Sequence, residues 1–195
     1  MRRCVRTGYY SAVRPPRKTF DPAALYDYAV RALGRKMRTV AELKRLLRQR
    51  VERGENGEAA VEAVIHKLKE QRYLNDSHYA ATYASYRQNR EKFGQRRVIA
   101  DLKAKGVHSE VIGKAVGSAY SGVNEEKLAR QHLARKRLRK PATRKEAARI
   151  FRSLLHAGFT SRVIFSILRK WNVDDESIDE METQVEDLGS EEPLA

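Results

Sequence analysis

Apolar residues recur three and four positions apart in nine successive stretches of the chain, the spacing of one buried helix face. Asp21-Pro22 opens the first stretch, with proline at the first helical position, where its missing N–H costs nothing. Leu25, Tyr28, Ala29 and Ala32 share its face, and Gly34 weakens its end. Thr39-Val40-Ala41-Glu42 opens the second as a capping box: the hydroxyl accepts from a free N–H and the glutamate reaches back. Leu43, Leu46 and Leu47 form its buried stripe. Gly54 and Gly57 break the chain, and a third helix from about Glu58 to Arg72 buries Val61, Val64, Ile65 and Leu68.

The pattern then repeats. Asn75 or Asp76 caps a helix carrying Tyr79, Tyr83 and Tyr86 at helical spacing, a stripe that reads as core or as a ladder for stacking bases. Gly94 precedes Val98, Ile99 and Leu102. Gly106 supplies the left-handed residue that ends this helix, with Val107 packing back. Ser109 caps the next, which buries Val111, Ile112, Ala115 and Val116. In the last unit Asn124 precedes a helix with Leu128, His132 and Leu133 on one face, stopped by Pro141. A second capping box, Thr143-Arg144-Lys145-Glu146, opens a helix with Ile150, Phe151, Leu154 and Leu155. Gly158 ends it, and Thr160 caps a final helix with Val163, Ile164, Ile167, Leu168 and Trp171 inside.

One shift of 52 carries Leu102, Gly106, Val111 and Ile112 onto Leu154, Gly158, Val163 and Ile164. A shift of 55 carries Ala29, Leu43 and Leu47 onto Ala84, Val98 and Leu102, and a shift of 47 carries Val64-Ile65 onto Val111-Ile112. The first unit therefore holds about eight extra residues near Val51 to Gly57. A period near 50 with three helices each reads as a repeat array. A unit of ~50 residues buries too little surface to stand comfortably alone, so neighbours stack. The expected fold is all-α: three tandem three-helix, helix-turn-helix-like repeats forming an elongated, curved body with flexible termini. The units are 20–74, 75–122 and 123–173, preceded by a disordered basic arm, 1–19, and followed by an acidic tail, 174–195.

Charge sharpens this picture. The 195-residue chain has a formal net charge of +15, yet residues 174–195 hold ten carboxylates and no Lys or Arg, so the rest carries a net of +25. A body this basic attracts polyanions, nucleic acid first and acidic protein surfaces second. The arm holds six cations and no acid, and reads as a solvated tail or as a phosphate-seeking arm. Cys4 is the sole cysteine, which rules out an internal disulfide or a cysteine zinc site. No signal peptide or membrane-length apolar run is evident, and the expected location is the cytoplasm.

Catalytic patterns are missing. The five histidines are scattered, expected at or near the surface, and form no metal-ligand pair on one helix. No glycine-rich phosphate loop or catalytic carboxylate pair occurs. A non-enzyme without metal or cofactor is expected.

The remaining signal is charge on helices. Residues 87–105 hold Arg87, Arg90, Lys92, Arg96, Arg97, Lys103 and Lys105 against Glu91 and Asp101. Residues 130–149 hold nine cations, among them Arg135, Arg137, Arg139, Lys140, Arg144 and Lys145, against Glu146 alone. Solvated helix faces ordinarily mix signs, so these thirteen named residues are the candidate phosphate- or filament-binding set. Base reading would need cations on the helix after the turn. There the second unit has only Lys114, the first is mixed in sign, and the third has Arg162, Arg169 and Lys170. Contact with phosphates, or with an acidic protein, fits better than sequence reading.

Residues 73–107 resemble the RecX family of bacterial recombinase modulators. The resemblance rests on Tyr73-Leu74-Asn75-Asp76, Tyr79-Ala80, Tyr83, Arg87, Gly94, Arg97-Val98, Leu102 and Lys105-Gly106-Val107. The first unit fits through Ala29, Arg31-Ala32-Leu33, Arg38, Glu42-Leu43 and Leu46; the third fits more loosely, ending in Trp171. The likeness spans about residues 20–173. It implies three tandem three-helix units and a monomeric, non-enzymatic protein that lies along the RecA nucleoprotein filament. It also implies limits on filament growth, RecA's ATPase and strand exchange, a role in DNA repair, recombination and the SOS response, with weak, nonspecific contact to DNA phosphates. The alternatives are a sequence-nonspecific DNA-binding protein of tandem helix-turn-helix units, and a plain helical scaffold.

The tail has its own pattern. Ser177-Ile178-Asp179-Glu180 forms a capping box, and Ile178, Met181, Val185 and Leu188 recur at helical spacing. It reads as a solubilising tail, or as a short amphipathic helix that docks on the basic faces and competes with the target.

Overall fold

In a computed structural model, residues 20–173 and Ile178 are described; the basic arm and, apart from Ile178, the acidic tail lie outside them. Among the described residues the regular structure is entirely helical. The first unit holds α1 (Pro22–Arg35), α2 (Val40–Leu47) and α3 (Glu55–Glu70). The second holds α4 (Asp76–Asn89), α5 (Gln95–Ala104) and α6 (Ser109–Ala119), and the third α7 (Glu125–Arg135), α8 (Arg144–His156) and α9 (Ser161–Lys170). In each unit the first and third helices share the largest contact, and the second closes the triangle.

The helix starts follow local chemistry. Asp21, Thr39, Asn75, Asn124 and Thr143 each accept a hydrogen bond from a free N–H of the first turn, and both capping boxes are complete. Three expectations are corrected. Helix α3 begins at Glu55, so Gly57 lies inside its first turn; there the Glu52 carbonyl oxygen would sit 2.0 Å from an added Cβ, and only glycine fits. His108, not Ser109, is the N-cap of α6, with no side-chain cap bond. Thr160 does precede α9, but its side chain caps nothing and turns to Glu125 instead.

Several helix ends share one device. At Arg72, Gly106, Arg137, Gly158 and Asn172 the backbone turns left-handed, and the next residue's N–H returns to a carbonyl of the last helical turn. The residues that fold back are Tyr73, Val107, Leu138, Phe159 and Val173. This turn at Arg137 ends α7 well before Pro141, which therefore does not stop it.

Three apolar cores result. The first gathers Leu25, Ala29, Leu43, Leu47, Val61, Ile65 and Leu68. The second gathers Tyr79, Ala80, Ala84, Val98, Leu102, Ile112 and Val116. The third gathers Leu128, Leu133, Ile150, Leu154, Phe159, Ile164, Ile167 and Leu168, together with Ile178. The repeat-matched residues Ala29, Leu43, Leu47, Ala84, Val98 and Leu102 are all fully buried. Leu46, Val111, Leu155, Val163 and Trp171 are only partly buried, at the rims of their cores. His132 is the histidine that departs from surface expectation: it is buried between the rings of Phe93 and Phe159.

The second core is lean, with three alanines and a single leucine among its buried residues. Each large aliphatic side chain buried contributes roughly 1.5–3 kcal/mol, so this unit depends on its neighbours. It meets both through one repeated joint, in which the turn between second and third helices rests on the start of the second helix of the preceding unit. At the first joint the Thr39 hydroxyl donates to the Lys105 carbonyl at 2.7 Å, and Gly106 lies so close that a Cβ there would be 2.4 Å from Ala41 Cβ. At the second joint the Gly94 N–H donates to the Ala157 carbonyl at 2.8 Å, and a Cβ on Gly158 would be 2.2 Å from the Arg97 nitrogen. Asp76 reinforces the first joint by accepting from the Val40 N–H at 2.9 Å; within the second unit the Tyr120 hydroxyl donates to the Phe93 carbonyl at 2.7 Å, next to Gly94 of the second joint.

Candidate functional site

The thirteen candidate cations divide by what their charges already meet. Arg87, on α4, is half-buried and pairs with both Glu91 and Asp101. Its guanidinium also lies 4.4 Å from the Phe93 ring centroid and 5.3 Å from that of Tyr83. Burial pushes the Asp101 carboxyl up, but hydrogen bonds from Arg87 and Tyr83 and the charges of Arg87 and Arg97 outweigh it and hold it below the usual range. Arg97 Nε sits 3.0 Å from the same carboxylate. Arg87 is thus a strut between α4 and α5, and the two acids of this segment are spent on it.

Lys105 is held similarly. Its ammonium lies 2.9 Å from Glu42 across the first joint, and 5.8 and 5.6 Å from the ring centroids of Tyr79 and Tyr83. Burial raises the Glu42 pKa, yet bonding to Lys105 and to the Thr39 N–H brings it below normal. Burial also pushes the Tyr83 hydroxyl up to about 12, so it stays protonated and donates to Asp101 at 3.0 Å.

The others stand differently. Among the described residues no carboxylate pairs with Arg90, Lys92, Arg96 or Lys103 of the second unit, nor with Arg135, Arg137, Arg139, Lys140 or Lys145 of the third. All but half-buried Lys92 are exposed. Arg144, exposed as well, is engaged within the protein.

The densest group surrounds a depression of about 230 Å³, lined by Arg137, Leu138, Arg139 and Lys140 from the α7–α8 loop and by Glu146, Arg149 and Ile150 of α8. The left-handed turn at Arg137 starts this loop, which lies against α8. Glu146 makes no ion pair with these four cations: one of its oxygens accepts the N–H groups of Ala142 and Thr143, at 2.7 and 3.3 Å, as part of the helix cap. Arg149 was not singled out by sequence reasoning. Its signal is helical spacing, since Lys145, Arg149 and Arg152 follow at i, i+4 and i+7 on α8, all exposed.

The helices that would read bases have part of their charge neutralised. Lys114 of α6 pairs with Glu110 at 2.7 Å, and Lys170 of α9 pairs with Glu126 at 2.8 Å. Among the described residues Arg162 and Arg169 of α9 stay exposed with no carboxylate partner, but the unpaired candidate cations all lie on first and second helices and their loops, an arrangement for anion contact without base reading. His132 Nδ1 donates to the Glu91 carbonyl at 3.3 Å, and burial pushes its pKa down, so a neutral ring packs the second joint. Among the described residues no group of three or more His, Cys, Asp or Glu is arranged to hold a metal, and no helix is long and apolar enough to cross a membrane.

Comparison with known proteins places this geometry in context. Residues 75–116 match the family model for the second three-helix domain of RecX. The chain is 38% identical over 169 residues to the regulatory protein RecX of Myxococcus xanthus, covering 80% of this chain and 87% of that one. It is 29% identical to the RecX of Bacillus velezensis over 83% of this chain, which spans only 60% of that longer relative. A crystal structure of a regulatory protein RecX superposes with a TM-score of 0.62 at 24% identity, over 76% of this chain and 71% of that one, which speaks for the fold.

Proposed function

Since the chain belongs to the RecX family of regulatory proteins, we propose that it binds the RecA nucleoprotein filament and restrains filament extension, ATP hydrolysis and strand exchange, and through them recombination, DNA repair and the SOS response. It acts by binding rather than catalysis, as a monomer in the cytoplasm and without a cofactor. The observation that carries this reading is the set of cations on the second and third units left without carboxylate partners, densest around Arg137, Arg139, Lys140 and Arg149. A filament offers DNA phosphates and protein carboxylates side by side, and both are ligands for such a set. Arg87 and Lys105 support the site by holding α4, α5 and the first joint in place.

The test is the quadruple variant Arg137→Glu, Arg139→Glu, Lys140→Glu, Arg149→Glu, assayed for inhibition of RecA's ATPase on single-stranded DNA. The four side chains are exposed, so helicity and melting temperature should match the parent. Half-inhibition should need roughly tenfold more protein or worse. Inhibition at the parent's concentration would remove these residues from the site. The same cations also suit naked DNA, the second reading, which predicts inhibition only at concentrations that saturate free DNA.

A further inference from the structure

Three large apolar side chains stand out as exposed among the described residues: Met37 at 46%, Tyr73 at 61% and Tyr86 at 54%. All three line one site. Two adjoining depressions, of about 380 and 110 Å³, share Met37 and Tyr79 and run along the junction of the first and second units. The larger is walled by Tyr79, Tyr83 and Tyr86 of α4 and by Lys36 and Met37 of the α1–α2 loop. Tyr73 lines the smaller. The groove exists only where the two units are joined, and the first joint, with Thr39, Asp76 and the Lys105–Glu42 pair, fixes it.

Its chemistry is one-sided. Lys36, Arg38, Arg72 and Lys105 line the two depressions, and no carboxylate does. Arg38 Nε is buried without a hydrogen-bond partner. Tyrosine, methionine and arginine are the side chains enriched where proteins meet. Bases are a poorer fit. Tyr79 and Tyr83 stack on each other at 5.9 Å and 12°, and Lys105 lies over both rings, so two of the three rings along α4 have spent their faces. That disfavours a base-stacking ladder and leaves an apolar slot with a cationic rim.

We propose that this groove receives an acidic protein segment that seats an aliphatic or aromatic side chain between Met37 and Tyr86 and brings carboxylates to Lys36, Arg38 and Arg72. The proposal rests on the filament reading: the segment belongs to the protein part of the filament, not to its DNA. The cations of the second and third units then supply phosphate contact, and this groove supplies protein contact.

The test uses full-length chain with Met37→Asp, Tyr86→Ala and Tyr86→Phe, titrated into RecA filaments on fluorescein-labelled single-stranded DNA and into the same DNA free. Met37→Asp and Tyr86→Ala should weaken filament binding roughly tenfold or more while free-DNA binding stays at the parent value, and Tyr86→Phe should bind as the parent does. In parallel, a photoreactive benzoylphenylalanine at position 86 should crosslink to RecA and not to the oligonucleotide. Parent-like filament binding by both truncating variants would overturn the proposal while leaving the filament reading intact. Equal loss on free DNA, or crosslinks to DNA alone, would overturn it in favour of a base-stacking surface. A parent protein that does not prefer filaments to free DNA would instead overturn the filament reading itself, and this proposal with it.

Discussion

Arg87 and Arg137 are the same residue type in stretches of similar charge, and the fold gives them opposite work. Arg87 is bound by two carboxylates and two rings; Arg137 stands at the edge of a depression with three other cations. Arg137 and Arg72 also share a left-handed backbone, which costs a residue with a Cβ about 1–2 kcal/mol. Arg72→Gly should relieve part of that cost and raise the melting temperature by about 2–4 °C; an unchanged or lower value in a thermal melt would show that the side chain's contacts outweigh the backbone term. Such turns were legible in the sequence where glycine fills them, at 106 and 158, and not where arginine or asparagine does. The candidate cations were legible as a set. Their division was not, because Asp101 lies 14 residues from Arg87 and Glu42 lies 63 from Lys105, and only the tertiary fold brings them together.

At the scale of elements, every helix from α1 to α9 could be read from apolar spacing, and the starts of α1, α2, α4, α7 and α8 from their caps, because those signals are local. The joints could not. The shift that matches Gly106 to Gly158 shows that both end a helix, but not that each presses on the preceding unit. Two glycine substitutions separate these roles. Gly158→Ala meets both a φ of +87° and the Arg97 backbone 2.2 Å away, and should destabilise the protein by at least about 2 kcal/mol. Gly113→Ala, inside α6 with nothing near its Cβ, should stabilise by up to about 1 kcal/mol. Equilibrium unfolding in urea reads both, and a tolerated Gly158→Ala would mean that the second joint is loose.

The described residues form a chain of three small cores, and in the proposed function their surfaces divide the labour. The middle unit is leanest inside and is clamped from both sides, so the groove at the first joint and the cations beyond the second are held in one relation. Strong positive charge alone would make a protein that coats any nucleic acid, with affinity falling steeply as salt rises. A filament regulator must add contact that free DNA lacks. The direct measurement is a pair of titrations at physiological salt, with the parent protein added to labelled single-stranded DNA either bare or coated with RecA. The account predicts half-saturation of the coated strand at a concentration at least roughly tenfold lower than for bare DNA, about 1.4 kcal/mol of preference. Equal affinities, or tighter binding to bare DNA, would contradict it.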